Sequence, residues 1–161
     1  MKGFSRIGLA AVGSLVLAST AFAQMPPTPE QRAQQEVKTR QAVFDLVAFT
    51  FGPAGASLRP GGKPLDSAEA VKIAQRLQML ATFIPEVFVP DTRNVSGLTT
   101  RARDAIWTSM SDFDQKATDF SNAAAALEAA AKSGGDPGTI RQAVIGVGKG
   151  CAGCHDNFRN K

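Results

Sequence analysis

Apolar residues recur along this chain at steps of three and four in four separate stretches, the spacing that gathers them on one face of an α-helix. In the first, Val37, Phe44 and Phe51 repeat at seven, with Arg40/Gln41 and Val47/Ala48 between them. Thr28 or Pro29 opens it after a proline-rich leader, and Gly52-Pro53 is expected to end or distort it. In the second, Asp66 is the expected N-cap with Glu69 three positions on, a capping-box arrangement. Ala70, Ile73, Leu77, Leu80, Ala81 and Ile84 follow, and Pro85 and Pro90 bracket the exit. The third and longest runs Ile106, Met110, Phe113, Ala117, Phe120, Ala124, Leu127 and Ala131; the fourth runs Ile140, Val144, Val147, Cys151, Cys154 and Phe158.

Between these stretches lie turn residues rather than strands. Gly55 to Lys63 reads as a loop, Asp91 to Thr100 as a polar crossing, and Gly134-Gly135-Asp136-Pro137 as the last turn. The glycines of 55–63 are followed by no P-loop lysine and serine in register. Four amphipathic helices joined this way predict an all-α protein, an antiparallel up-down-up-down four-helix bundle whose cofactor sites lie between facing helices.

The amino end carries Lys2 and Arg6, an apolar run from Ile7 to Leu17, and Ala21-Phe22-Ala23, a small-x-small cleavage pattern. Residues 1–23 read as a cleaved signal peptide and 24–161 as a single bundle domain. The apolar run is too short for a retained anchor, and no other segment approaches the ~20 apolar residues a membrane helix needs. Removing 23 of the 161 residues leaves 138 and, with Lys2 and Arg6 gone, lowers the net charge from +4 to +2. Charges of both signs are mixed along the chain, which does not suggest nucleic-acid binding. The expected compartment is the periplasm.

The chemistry is concentrated in Cys151-Ala152-Gly153-Cys154-His155. Cys-x-x-Cys-His is the attachment signature of c-type haem: two thiols add across the vinyl groups and the imidazole takes an axial iron position. Positions i, i+3 and i+4 share a helix face, so all three side chains can address one porphyrin. A closed zinc site would need four ligands, and the chain has two cysteines and one histidine. A thioredoxin-like pair belongs at a helix N-terminus after a strand, whereas this pair ends an apolar helical pattern. A disulfide across so small a loop would constrain little and leave His155 unexplained. Haem attachment in bacteria is extracytoplasmic, which agrees with the export signal. Because both cysteines fall in the apolar seam, the haem is expected on the inward face of the last helix.

With these features the chain resembles the cytochrome c prime family, the class II c-type cytochromes. The resemblance rests on Lys38-Thr39-Arg40-Gln41-Ala42-Val43-Phe44, on Phe88 with Pro90, on Ile106-Trp107 with Phe113, and on Val147-Gly148 with Cys151 to Arg159. It implies one haem c, bound through Cys151 and Cys154 with His155 as iron ligand. Arg40 and Gln41 match residues near the haem propionates, although an exposed surface position suits such side chains equally well. Trp107 is expected near the ring edge, where core packing alone would also explain it. Phe158 belongs to the same terminal block, and Arg159 matches the family's proximal arginine.

The sixth iron position divides two functions. In low-spin relatives a first-helix methionine ligates iron; in true cytochromes c prime an apolar residue covers that face. Alignment on Arg40-Gln41 puts Phe44 there, and no methionine occurs between Pro26 and Gln78. Met25 lies in the leader, while Met79 and Met110 fall at or near core spacing. The resemblance thus implies a five-coordinate, high-spin iron that takes nitric oxide or carbon monoxide with dioxygen excluded, and/or undergoes one-electron redox. The alternative is a low-spin electron-transfer cytochrome with a methionine ligand. No second histidine is present for peroxidase-type acid–base work, so no catalytic role is expected. The resemblance also implies a homodimer through the first two helices.

Overall fold

The computed structural model describes residues 26–161; the expected signal peptide, 1–23, and Met25 lie outside the described residues. Within them the chain is helical: α1 (Pro29–Ser57), α2 (Ser67–Glu86), the single turn α3 (Ala105–Thr108), α4 (Met110–Lys132) and α5 (Pro137–Phe158). The four long helices form the antiparallel bundle.

Their starts are set by short polar side chains that satisfy otherwise unpaired first-turn N–H groups. Thr28 and Gln31 form a reciprocal capping box: the Gln31 N–H donates to Thr28 Oγ1 and the Thr28 N–H to Gln31 Oε1. Asp66 accepts from the Glu69 N–H at 2.9 Å. Asp136 accepts from Gly138 and Thr139, with Pro137 in the first turn. At the other end of α4, Gly134 takes a φ of +72°, a left-handed turn that a side chain would oppose.

Two elements depart from the periodicity. The first helix does not end at Gly52-Pro53 but runs to Ser57, taking the first residues of the expected loop with it. Pro53 removes one helical hydrogen bond, normally donated to Phe49; both residues are exposed, so water can satisfy the freed carbonyl. The third pattern is two helices, because Ser109 leaves helical geometry (φ −138°, ψ 52°). The apolar stripe crosses this break: Ile106 and Phe113 on either side are both buried.

Packing follows the stripes. All six apolar positions read in α2 are buried. Along α4, Phe113, Phe120 and Leu127 alternate with Ala117, Ala124 and Ala131, all buried. The alanines admit close helix approach while the larger side chains fill the layers between them. α2 and α4 share the most extensive contact in the bundle, α4 and α5 the next. α1 packs on α2 but meets α5 sparsely. Arg141 of α5 ties these two together at one end only, donating to the carbonyls of Ser57 and Leu58.

Across the α2–α4 seam, Glu128 accepts from Gln75 (2.8 Å) and Gln78 (2.7 Å) and pairs with Lys132 (2.6 Å). These donors, Lys132 first, pull the Glu128 carboxyl down to about 2 from an ordinary 4.5. A carboxyl depressed by folding stabilises above its unfolded pKa, and that stability is lost as pH falls through the folded value. Glu128→Gln is therefore expected to flatten the melting temperature against pH between about 4.5 and 2, relative to the parent. Parallel acid slopes for the two proteins would exclude this clamp.

Candidate cofactor site

Where α1 and α5 separate, the bundle encloses a cavity of about 650 Å³, inside the ~300–1,000 Å³ range of cofactor and ligand sites. One wall is α1, with Val37, Gln41, Phe44, Val47 and Phe51; the facing wall is α5, with Gly148, Gly150, Cys151, Cys154 and His155. Phe113, Ala117 and Phe120 of α4, with Ile84 and Phe88, line the interior between them. Near the end of α5 the segment before α3 pairs with the chain after the helix through an antiparallel bridge, Ala102 to Arg159. The Arg103 N–H donates to Phe158 O at 3.0 Å and the Asn160 N–H to Arg101 O at 2.8 Å.

Both cysteines are half-buried and free, and His155 is the most exposed of the three. Burial pushes both thiols up; Cys151 adds to the effect at Cys154 and the ammonium of Lys116 opposes it. Burial, then the guanidiniums of Arg159 and Arg101, push the His155 imidazole below its ordinary value. That favours the neutral ring, the form that ligates a metal.

The donor set suits haem c: two thiols and one neutral imidazole on one helix face, before an apolar cavity. Gly148 adds an independent sign. It stands on the same face, three residues before Cys151 and seven before His155, and lines the cavity; a Cβ there would meet nothing within 4 Å. Glycine within a helix costs about 1 kcal/mol relative to alanine, and here it keeps a side chain out of the cavity.

Four aromatic rings back the site. Phe44 meets Phe88 edge-on at 6.3 Å, Phe88 meets Phe113 at 4.9 Å, and Phe113 meets Phe158 at 5.3 Å. Phe44 and Phe158 thus both line the cavity. Trp107 does not: it lies against Phe88 at 6.0 Å and donates from Nε1 to the Phe88 carbonyl at 2.9 Å. Arg40 also lines the cavity but is only 3% exposed, which removes the surface alternative for it. Gln41 is exposed at the rim, where its amide reaches Thr99 O at 3.4 Å, and Arg159 is exposed there too.

Neither described methionine lines the cavity. Met79, expected at or near core spacing, is 57% exposed on α2, while Met110 packs against the core. Lys116 and Arg101 join the lining without having been singled out from the sequence. Lys116 lies three residues after Phe113, a position the α4 stripe would have disclosed. Arg101 arrives through the bridge to the end of α5, which no local pattern announces.

A family profile described as Cytochrome C′ matches residues 35–159. The chain is 36% identical over 148 residues to cytochrome c′ of Cereibacter sphaeroides, covering 91% of this chain and 97% of that protein. It is similar to the solved cytochrome c prime of Shewanella frigidimarina, with a TM-score of 0.68, 38% identity, and 80% and 97% of the two chains covered. It is also similar to a nitric oxide complex of a variant cytochrome c prime from Alcaligenes xylosoxidans, with a TM-score of 0.67, 32% identity, and 80% and 97% covered.

If the face of Gly148 receives the porphyrin, Gly148→Leu should lower the fraction of chain carrying covalent haem, read as the Soret-to-protein absorbance ratio after co-expression with a haem-attachment system. Gly148→Ala, which improves helix propensity by up to about 1 kcal/mol, serves as the conservative comparison. Full loading of the leucine variant would show that this face is not the haem-bearing one.

Proposed function

This chain belongs to the cytochrome c′ family, and on that premise we propose that it is a periplasmic haem protein that binds nitric oxide or carbon monoxide at an iron ligated by the protein on one side only. When bound, haem c supplies an iron that can take a diatomic gas and carry one electron. Cys151 and Cys154 would hold it covalently, and His155, the only histidine in the chain, would ligate its iron.

The observation that carries this reading is the character of the wall facing α5. Val37, Phe44, Val47 and Phe51 present hydrocarbon; of the polar residues that α1 adds to the lining, Arg40 is bonded to the loop after α2 and Gln41 and Asp45 are exposed, and among the described residues no methionine and no second histidine lines the cavity. The Phe44 ring offers no hydrogen-bond donor. An apolar pocket of this kind disfavours dioxygen, which gains from a donor when it binds, far more than nitric oxide or carbon monoxide, which bind iron without one. Entry on this side requires the Phe44 ring to move. The nitric oxide complex of the Alcaligenes xylosoxidans relative supports the choice of ligand.

Compartment and assembly follow from other parts of the chain. The signal-like segment 1–23 supports export, and no described helix is long and apolar enough to cross a membrane. Leu46 and Phe49 project from the outer side of α1, Phe49 at 77% exposure, and Met79 and Phe83 are exposed on the adjoining α2. These apolar side chains support a homodimer through α1 and α2.

The ferric protein is expected to show a high-spin, five-coordinate spectrum with no methionine–iron charge-transfer band. A clean low-spin spectrum in both oxidation states would overturn the reading in favour of a methionine-ligated electron carrier. Phe44→Ala is expected to accelerate carbon monoxide binding to the ferrous protein about tenfold or more, which corresponds to about 1.4 kcal/mol off the entry barrier. An unchanged stopped-flow rate would mean that Phe44 does not gate the iron.

A further inference from the structure

Arg40 is the one charged side chain among the buried described residues. Its bonds run to the loop that follows α2. Nε donates to Val87 O at 2.9 Å, Nη1 to Thr92 Oγ1 at 2.9 Å, and Nη2 to Pro90 O. The guanidinium carbon also stands 4.9 Å from the centroid of the Phe88 ring and 5.2 Å from that of Trp107, within cation–π range of both.

All these contacts converge on Phe88. The carbonyl before it and one two residues after it accept from Arg40, its own carbonyl accepts from Trp107 Nε1, and its ring lies beneath the cation. That ring in turn meets Phe44 edge-on and so occupies space the Phe44 ring would need in order to swing inward. The planar fork spreads its donors over three nitrogens and so reaches three separate oxygens while lying over aromatic rings; a lysine ammonium, with its donors on one atom, does not span the same acceptors.

We infer that Arg40 is a positioning residue for gas entry: by fixing Phe88 it limits the excursions of Phe44. The inference rests on the reading of Phe44 as the gate. It also gives the buried arginine a role beside any propionate contact, since three of its five N–H donors are already bonded to the loop after α2.

Arg40→Lys keeps the charge while losing the fork. In the haem-loaded protein it is expected to accelerate ferrous carbon monoxide association about fivefold, equivalent to about 1 kcal/mol off the barrier, with the ferric spin state unchanged. Amide hydrogen exchange across residues 87–93 should accelerate with it. Thr92→Val, which removes a single acceptor and preserves shape, should move both measurements in the same direction by less, and provides the test if Arg40→Lys fails to fold. In a Phe44→Ala background the Arg40→Lys or Thr92→Val increment in the association rate should vanish, because contacts acting through one residue are not additive. If Phe44→Ala accelerates binding while the Arg40 and Thr92 variants leave the rate alone, or if their increments persist without Phe44, the inference is overturned and the gate stands. If Phe44→Ala itself changes nothing, the gate reading fails and the inference with it.

Discussion

The site depends on α1 and α5 being kept apart. Apolar helix faces close on one another unless something holds them off, and here the holding is done from a distance. The alanine layers of α4 draw α2 close, so most of the core lies between α2, α4 and α5. α1 is then fastened to α2 on one side and, through Arg141, to α5 at one end. At the other end the 101–103 segment grips the close of α5 through backbone pairing. Between these two ties the helices diverge, and the thiols, the imidazole and the aromatic rings occupy the divergence. The cavity is therefore a property of helix placement and would survive many changes in its own lining.

A buried cation in so apolar a region needs an electrostatic account. Desolvation pulls Arg40 below its ordinary value, with Glu36 and Asp91 opposing. Because a guanidinium starts so far above neutrality, it stays charged. Among the described residues no carboxylate bonds it directly. Its compensation is the carbonyl end of α2, where the helix presents partial negative charge, together with two aromatic faces. The same arrangement turns the chain after α2 and sets Phe88 against α1, so one charged residue fixes both a turn and a packing surface.

Much of this was legible from residue order. The α2 stripe gave every buried position it claimed, and the seam of α5 carried Cys151 and Cys154 to the cavity as its spacing required. Periodicity works at such places because each residue's environment is set by its own helix face. It fails where a distant element decides. Pro53 passes through α1 because its surroundings are open, and Ser109 breaks a helix whose stripe continues unbroken across it. Met79 sits near core spacing yet faces outward. Arg40 is buried because a loop nearly fifty residues later supplies its acceptors, and Arg101 reaches the cavity because its segment pairs with the chain after α5, far later in the sequence. Spacing within a helix carries no information about either partner.

The placement of Trp107 has an optical consequence. The chain contains one tryptophan and no tyrosine, so its near-ultraviolet emission comes from a single indole. That indole is bonded to the Phe88 carbonyl and sits one aromatic ring away from the cavity. Any rearrangement that passes through Phe88 alters the polarity and hydrogen bonding of the only strong native fluorophore. The fold thus carries its own label, placed close enough to sense the site and far enough back to leave it unobstructed.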